Sequence, residues 1–76
     1  MNWNEEPIAD DLLREAEVIS EFLFGDKAHR RRVYHLAKTS GLPIFKLGNV
    51  LCARRSALIE WIETQERASR GKVEAA

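Results

Sequence analysis

The chain of 76 residues is long enough for one domain with a thin core, which excludes a dinucleotide-binding fold, a barrel or a large substrate pocket. A composition of 45% hydrophobic and 32% charged residues is typical of a soluble folded chain, and no apolar run approaches the ~20 residues of a membrane span. The net charge of zero conceals an asymmetry: residues 1–26 carry eight acids and one base, whereas residues 27–55 carry eight bases and no acid. Such an asymmetry favours a polyanionic partner.

The first predicted element is a helix over residues 11–24. Its apolar residues recur at helical spacing, which gives the helix one apolar stripe. Asp10 or Asp11 is suited to cap the first turn, and Gly25 is suited to end the helix. The preceding residues, 1–7, belong to an acidic start without the apolar stretch of a signal peptide, and we expect them to form a flexible tail.

A second helix is predicted to start after Asp26, a good N-cap, and to run to about Ser40. Gly41 is expected to end it, and Pro43 prevents its return. Because so few residues separate the two amphipathic helices, the pair is predicted to form a helix-turn-helix.

A β-hairpin and a last helix are predicted next. Gly48 and Asn49 lie between two β-prone runs, residues 42–47 and 50–53, which is the pattern of a two-residue hairpin turn. The last helix is expected to start at Ser56 as N-cap, to run to about residue 67, and to be followed by a fraying tail. The predicted fold is therefore mainly α with a small hairpin, a winged helix-turn-helix (helix, helix, two-stranded wing, helix) over residues 8–67, with flexible tails at 1–7 and 68–76.

The second helix presents two different faces. Val33, Leu36 and Ala37 fall on one side and are expected to pack on the first helix. The opposite side and its borders are basic, carry one aromatic ring and no acid, and suit the major groove of DNA, where Arg and Lys read guanine edges. The candidate DNA contacts of this helix are Lys27, Arg30, Arg31, Arg32, Tyr34, His35 and Lys38.

These side chains also have alternative interpretations in which they do not contact DNA. Tyr34 could be a half-buried aromatic at the helix edge, and Arg32 could pair with an acid of the first helix such as Glu21. The whole basic segment could be a solvated face that pairs with the acidic segment of the same chain.

The hairpin carries basic residues of its own. A glycine-tipped hairpin beside a basic helix is typical of a wing, which reaches a flanking backbone or the minor groove. For Lys46 the alternative is simply solubility on an edge strand. The candidate contacts of the wing are Lys46, Gly48, Asn49, Arg54 and Arg55.

The side chains that support metal binding or catalysis are sparse. His29 and His35 are expected on different faces of one helix, and Cys52, the single cysteine, reads as a small core residue that fits a reducing compartment. No zinc-binding or phosphate-binding motif is present. We therefore expect no metal, no cofactor and no enzymatic activity. Carboxylate pairs such as Glu15 with Glu17 and Glu60 with Glu63 lie on predicted helices with no cleft expected nearby.

Three segments, in this order and spacing, resemble the excisionase-like branch of the MerR-type winged-helix DNA-binding domains. They are residues 31–36, RRVYHL, residues 41–48, GLPIFKLG, and residues 55–62, RSALIEWI. The resemblance covers about residues 12–63. Carried over by position, it implies recognition-helix contacts at Arg30, Arg31, Tyr34, His35 and Lys38 and wing contacts at Lys46, Gly48 and Asn49.

The resemblance implies a small DNA-binding protein of excisionase type, in the bacterial cytoplasm and nucleoid. Excisionases bind repeated sites cooperatively, bend DNA and bias an integrase toward excision. The expected partners are double-stranded DNA, an integrase and neighbouring copies of the chain arranged head to tail through their opposite charges; no membrane partner is expected. The alternatives are a small winged-helix transcription regulator and a protein-interaction module whose basic face meets an acidic protein.

Overall fold

The structure, a computed structural model, describes residues 8–75, with side chains described as far as residue 70. Over this part of the chain it is mostly helical and contains four helices, one 3-10 helix and three short strands. The elements are α1 (Ile8–Asp11), β1 (Leu12–Arg14), α2 (Ala16–Phe24), the 3-10 helix (Lys27–His29), α3 (Arg30–Thr39), β2 (Phe45–Leu47), β3 (Val50–Arg54) and α4 (Arg55–Ala75). Their order is compatible with a winged helix.

The three strands form one antiparallel sheet in the order β1-β3-β2. The predicted turn at Gly48 and Asn49 is confirmed, since it joins β2 to β3 with Leu47 opposite Val50. Gly48 has a φ of +64°, a conformation that favours glycine. The sheet has three strands and not the two expected, because β1 pairs with the far edge of β3.

The prediction of one continuous helix over residues 11–24 is wrong in its first part. Leu12–Arg14 form β1, and α2 begins only at Ala16. At the break, the backbone N–H of Glu15 donates to the carbonyl of Leu51 at 2.7 Å, and Glu15 adopts a φ of +79°. That hydrogen bond and that dihedral angle are both incompatible with an uninterrupted helix.

The joint between α2 and α3 largely follows the expectation. Gly25 ends α2 with a φ of +75° and donates its N–H to the carbonyl of Glu21 at 2.8 Å. Asp26 is the predicted N-cap, and its Oδ1 accepts from the N–H of Ala28 at 2.8 Å. The first turn of the expected second helix is a 3-10 turn, and regular α-helix starts only at Arg30.

The start of α4 differs from the prediction in its capping residue. Helix α4 begins at Arg55, and Asp11 is the acceptor there: its Oδ1 receives the backbone N–H of Ser56 at 2.9 Å and its Oδ2 the hydroxyl of Ser56 at 2.6 Å. Arg54 Nε also donates to Asp11, at 3.0 Å. Asp11 therefore caps α4 from across the fold and not the helix that follows it in sequence.

The other end of α4 lies beyond the expected boundary. The helix continues through Ala75, whereas we expected it to end near residue 67. The tail expected at residues 1–7 and the last residue, Ala76, lie outside the described residues.

The core forms where α2, α3 and α4 meet one face of the sheet. Ile19, Val33 and Leu58 are fully buried there, and Leu13 and Ala53 close the core from the sheet. Burying an aliphatic side chain of this kind stabilises the fold by about 1.5–3 kcal/mol. None of the described helices combines the length and apolar character that crossing a membrane requires.

A second contact fixes the end of α3. The indole Nε1 of Trp61 on α4 donates to the carbonyl of Ser40 at 3.0 Å, directly after the last turn of α3. The carbonyl at this helix end thereby gains a partner. Both ends of α3 are thus held by residues of neighbouring helices, since Ser20 of α2 accepts from the N–H of His29 at its start.

Candidate nucleic-acid interface

Helix α3 is oriented by its single apolar stripe. Val33 is fully buried, while Leu36 and Ala37 pack partly against the core. The side chains on the opposite face are exposed, and Tyr34 is 52% exposed, which agrees with the alternative of a half-buried aromatic at the helix edge and still leaves its ring open to a ligand. The exposed face consists of Arg31, Tyr34, His35 and Lys38.

The start of α3 is positioned by Ser20, which the sequence reasoning missed. Ser20 is fully buried on α2; its hydroxyl donates to the carbonyl of Asp26 and accepts from the backbone N–H of His29 at 3.1 Å. This hydroxyl therefore satisfies two backbone groups in the joint between α2 and α3. A serine on the apolar side of a predicted helix is the only sequence signal that pointed to it.

Arg30 and Arg32, the two border arginines of α3, have partners on α2. Arg30 Nη1 lies 3.2 Å from Glu17 Oε2 in an exposed ion pair, and the guanidinium of Arg32 lies 5.8 Å from the centroid of the Phe24 ring. Arg32 thus stacks on an aromatic ring, and the structure shows no ion pair between it and Glu21 among the described side chains. Such exposed contacts contribute little energy but limit where the cations can point.

Most bases of the basic segment have no acidic partner among the side chains that the structure describes. Among the side chains that the structure describes, two of the eight bases in residues 27–55 pair with an acid, Arg30 with Glu17 and Arg54 with Asp11. The alternative of a solvated basic face that pairs with the chain's own acids is therefore seen at Arg30 and Arg54, and the remaining bases of the segment are exposed. Six bases make no ion pair with any described acid: Lys27, Arg31, Arg32, Lys38, Lys46 and Arg55.

An open cleft of about 540 Å³ lies between the hairpin on one side and the 3-10 helix and α3 on the other. Lys27 and Tyr34 line one wall, and Lys46 and Asn49 line the other. The lining thus includes two lysines, a tyrosine and an asparagine. Groups of this kind bind phosphate oxygens.

Two carboxylates line the cleft. We expected no cleft near the carboxylate pair Glu15 and Glu17, and this expectation is wrong. Glu15 and Glu17 both contribute to its lining. The charge of Glu17 is balanced by Arg30, whereas Glu15 makes no ion pair among the described side chains. Glu15 is also the one described non-glycine residue with positive φ.

Arg54 and Arg55 lie away from the tip of the hairpin. Arg54 is opposite Leu12 at the far end of β3, roughly 16 Å along the strand from the turn. The guanidinium of Arg55 lies 6.0 Å from the centroid of the Phe22 ring. The structure therefore separates these two predicted wing residues from Lys46, Gly48 and Asn49, because Arg54 ends β3 and Arg55 starts α4, at the opposite end of the strand from the turn.

The candidate metal ligands do not assemble. His29 packs edge-on against Phe24 with ring centroids 5.8 Å apart, Cys52 is buried in β3, and His35 is exposed. Within the part of the chain that the structure describes, no group of three or more His, Cys, Asp or Glu side chains could hold a metal ion.

No family model, curated protein or solved structure matches the chain.

Proposed function

We propose that this chain is a winged helix-turn-helix protein that binds double-stranded DNA, with α3 in the major groove and the β2–β3 hairpin as the wing. The observation that carries the proposal is the cleft in which Lys27 and Tyr34 face Lys46 and Asn49. With α3 in one groove and the hairpin over the next, the phosphate backbone between the grooves lies in this cleft. The proposal is one of binding and assigns no catalytic step to the chain.

The exposed face of α3 suits the readout of bases. A major groove about 12 Å wide admits one helix, and guanine presents two acceptors there. Arg31 points away from the buried Val33 and makes no ion pair among the described side chains. It is therefore the side chain of this face best placed for a base edge, while Lys27 and Lys46 are placed for phosphates.

The finer proposal, that the protein acts as an excisionase, is supported by the resemblance of the three segments described above and by the charge asymmetry. The acidic first third of one copy can lie beside the basic surface of the next on adjacent DNA sites. Each exposed charge pair contributes only ~0.2–1 kcal/mol, so the free protein should stay monomeric and cooperate only on DNA. Independent filling of adjacent sites in gel-shift titrations, or a stable dimer in free solution, would count against this assembly.

The experiment that tests DNA binding is a titration against duplex DNA at several salt concentrations. If roughly five of the six bases without an acidic partner among the described side chains neutralise phosphates, log K should fall with log salt with a slope of about −4 to −5. Arg31→Ala should weaken binding, whereas the control Arg70→Ala should not, because Arg70 lies on α4 and pairs with Glu66. A slope near −1 or shallower, or no binding, would reject the proposal and favour an acidic protein as the partner.

A further inference from the structure

The tip of the β2–β3 hairpin carries exposed apolar side chains. Phe45, Leu47 and Val50 are 40%, 54% and 40% exposed. In the register of the hairpin, Leu47 lies opposite Val50 and Phe45 opposite Cys52. Because side chains alternate along a strand, these three residues share one face of the hairpin.

Lys46 lies on the other face of the same hairpin. It is opposite Leu51, which is buried in the core, and it lines the cleft toward α3. Lys46 thus turns toward the cleft, whereas Phe45 and Leu47 lie on the opposite face of β2; Val50 on β3 borders both sides, since it also contributes to the lining of the cleft. An edge strand is usually protected by charged residues. In β2, an edge strand of three residues, two of the three are exposed and apolar, so we expect a ligand or partner to cover them.

Charge favours DNA as that ligand. The hairpin carries Lys46 and Arg54 and no acid, and Lys27 lines the cleft beside it. Of the two carboxylates in this cleft, that of Glu17 is balanced by Arg30. A strongly anionic ligand is therefore attracted to the same element that exposes the apolar pair. An acidic protein would be attracted as well, but a protein has no reason to fit a narrow two-residue tip.

The shape of the tip matches a minor groove. The B-DNA minor groove is about 6 Å wide, too narrow for a whole two-stranded ribbon, so only the tip of the hairpin can enter it. The turn adds only Gly48, which has no side chain, and Asn49, whose amide can bond the acceptors on the groove floor. Leu47 and Val50 directly flank this turn and reach the groove with it.

We propose that Leu47 and Val50 form an apolar wedge that enters the minor groove and partly unstacks a base step, so that the hairpin bends the duplex. This inference rests on the proposed DNA binding and adds the residues that produce the bend. Apolar side chains inserted in this way kink DNA by roughly 20–90°. Pyrimidine–purine steps unstack most easily, so the protein should prefer a TA or CA step beneath the hairpin tip.

The test measures binding and bending separately. A short duplex selected by the wild-type protein from a random pool is labelled at its ends for energy transfer, and 2-aminopurine is placed at the step beneath the tip. We expect the wild-type protein to bring the ends together and to raise the 2-aminopurine fluorescence. Leu47→Ser should lose most of both signals while keeping the salt slope of binding, and Leu47→Met should retain both signals. The control Ile62→Ser changes an apolar residue of similar exposure (44%) on α4 and should retain both signals as well.

The outcomes separate the wedge from DNA binding itself. If Leu47→Ser, folded by circular dichroism, bends the duplex as the wild type does, the wedge is refuted and the DNA-binding proposal stands. If Leu47→Ser instead abolishes self-association in sedimentation and leaves the bend intact, the apolar tip is a contact between copies and the wedge is again refuted. Failure of the wild-type protein to bind any duplex refutes both proposals.

Discussion

Substituting Ser20 by alanine should destabilise the whole domain and not only one helix. The serine hydroxyl is fully buried, donates to the carbonyl of Asp26 and accepts from the N–H of His29. Alanine removes both hydrogen bonds and leaves two backbone groups without their partner in the joint between α2 and α3. A hydrogen bond contributes about 0.5–1.5 kcal/mol net, so the expected loss is about 1–3 kcal/mol.

This loss is large for so small a chain. Domains are stable by about 5–15 kcal/mol in total, and a domain of this size loses about 4–8 °C in Tm per kcal/mol. Ser20→Ala should therefore lower Tm by about 4–24 °C, and DNA affinity should fall at temperatures where the variant is still folded, because α3 loses the bond that fixes its start.

Thermal denaturation followed by circular dichroism at 222 nm measures the effect. The matched control is Ser69→Ala, which makes the same chemical change at an exposed position of α4 and should leave Tm nearly unchanged. A wild-type Tm for Ser20→Ala would refute the role assigned to this hydroxyl. Equal losses in the two variants would show that the change of residue type and not the site is responsible.

Three further predictions concern Asp11, Glu15 and the two DNA-contact types. The hydroxyl and N–H of Ser56, followed by the Arg54 guanidinium, lower the pKa of Asp11 below 3.8. The carboxylate therefore stabilises the fold above about pH 3.8, and this contribution is lost as the pH falls through the lowered pKa. In urea denaturation, Asp11→Asn should lose less stability than the wild type between pH 5 and acid pH. Glu15→Gly should raise Tm by relieving backbone strain of about 1–3 kcal/mol, whereas Glu15→Ala should not raise it. Both variants should raise DNA affinity in a filter-binding titration, because each removes a carboxylate from the cleft. Arg31→Ala should reduce the preference for a selected site over a scrambled one by about 1–3 kcal/mol, while Lys46→Ala weakens both duplexes alike; equal losses for Arg31→Ala on the two duplexes would contradict its placement at a base edge.

Elements with local signals could be predicted from the sequence. The turn at Gly48, the cap at Asp26 and the stripe that buries Val33 depend on neighbouring residues only, and each lies where its pattern indicated. Strand β1 could not be predicted in this way. Its Leu12 and Leu13 fit the apolar stripe of a helix equally well, and its partner strand lies at the other end of the domain.

The site was predictable to the same extent. The helical period identified the exposed basic face of α3, but the cleft depends on how the hairpin leans toward α3, which no local pattern encodes. The placement of Glu15 in that cleft follows from the strand that the sequence reasoning missed. Ser20 and Asp11 act on backbone groups of other elements, and their partners become visible only in the folded chain.

The pairing of β1 with β3 also orders the folding reaction in time. Helices α2 and α3 and the β2–β3 hairpin form from residues close in sequence, whereas the pair of Leu13 with Ala53 closes a loop that contains all of them. Loop-closure entropy delays such a contact, so β1 should dock after the transition state for folding. Leu13→Ala should then speed unfolding in stopped-flow experiments and leave the refolding rate nearly unchanged. Because Asp11 directly precedes β1, the release of this strand removes the cap of α4 in the same step, and the last helix frays whenever the first strand detaches.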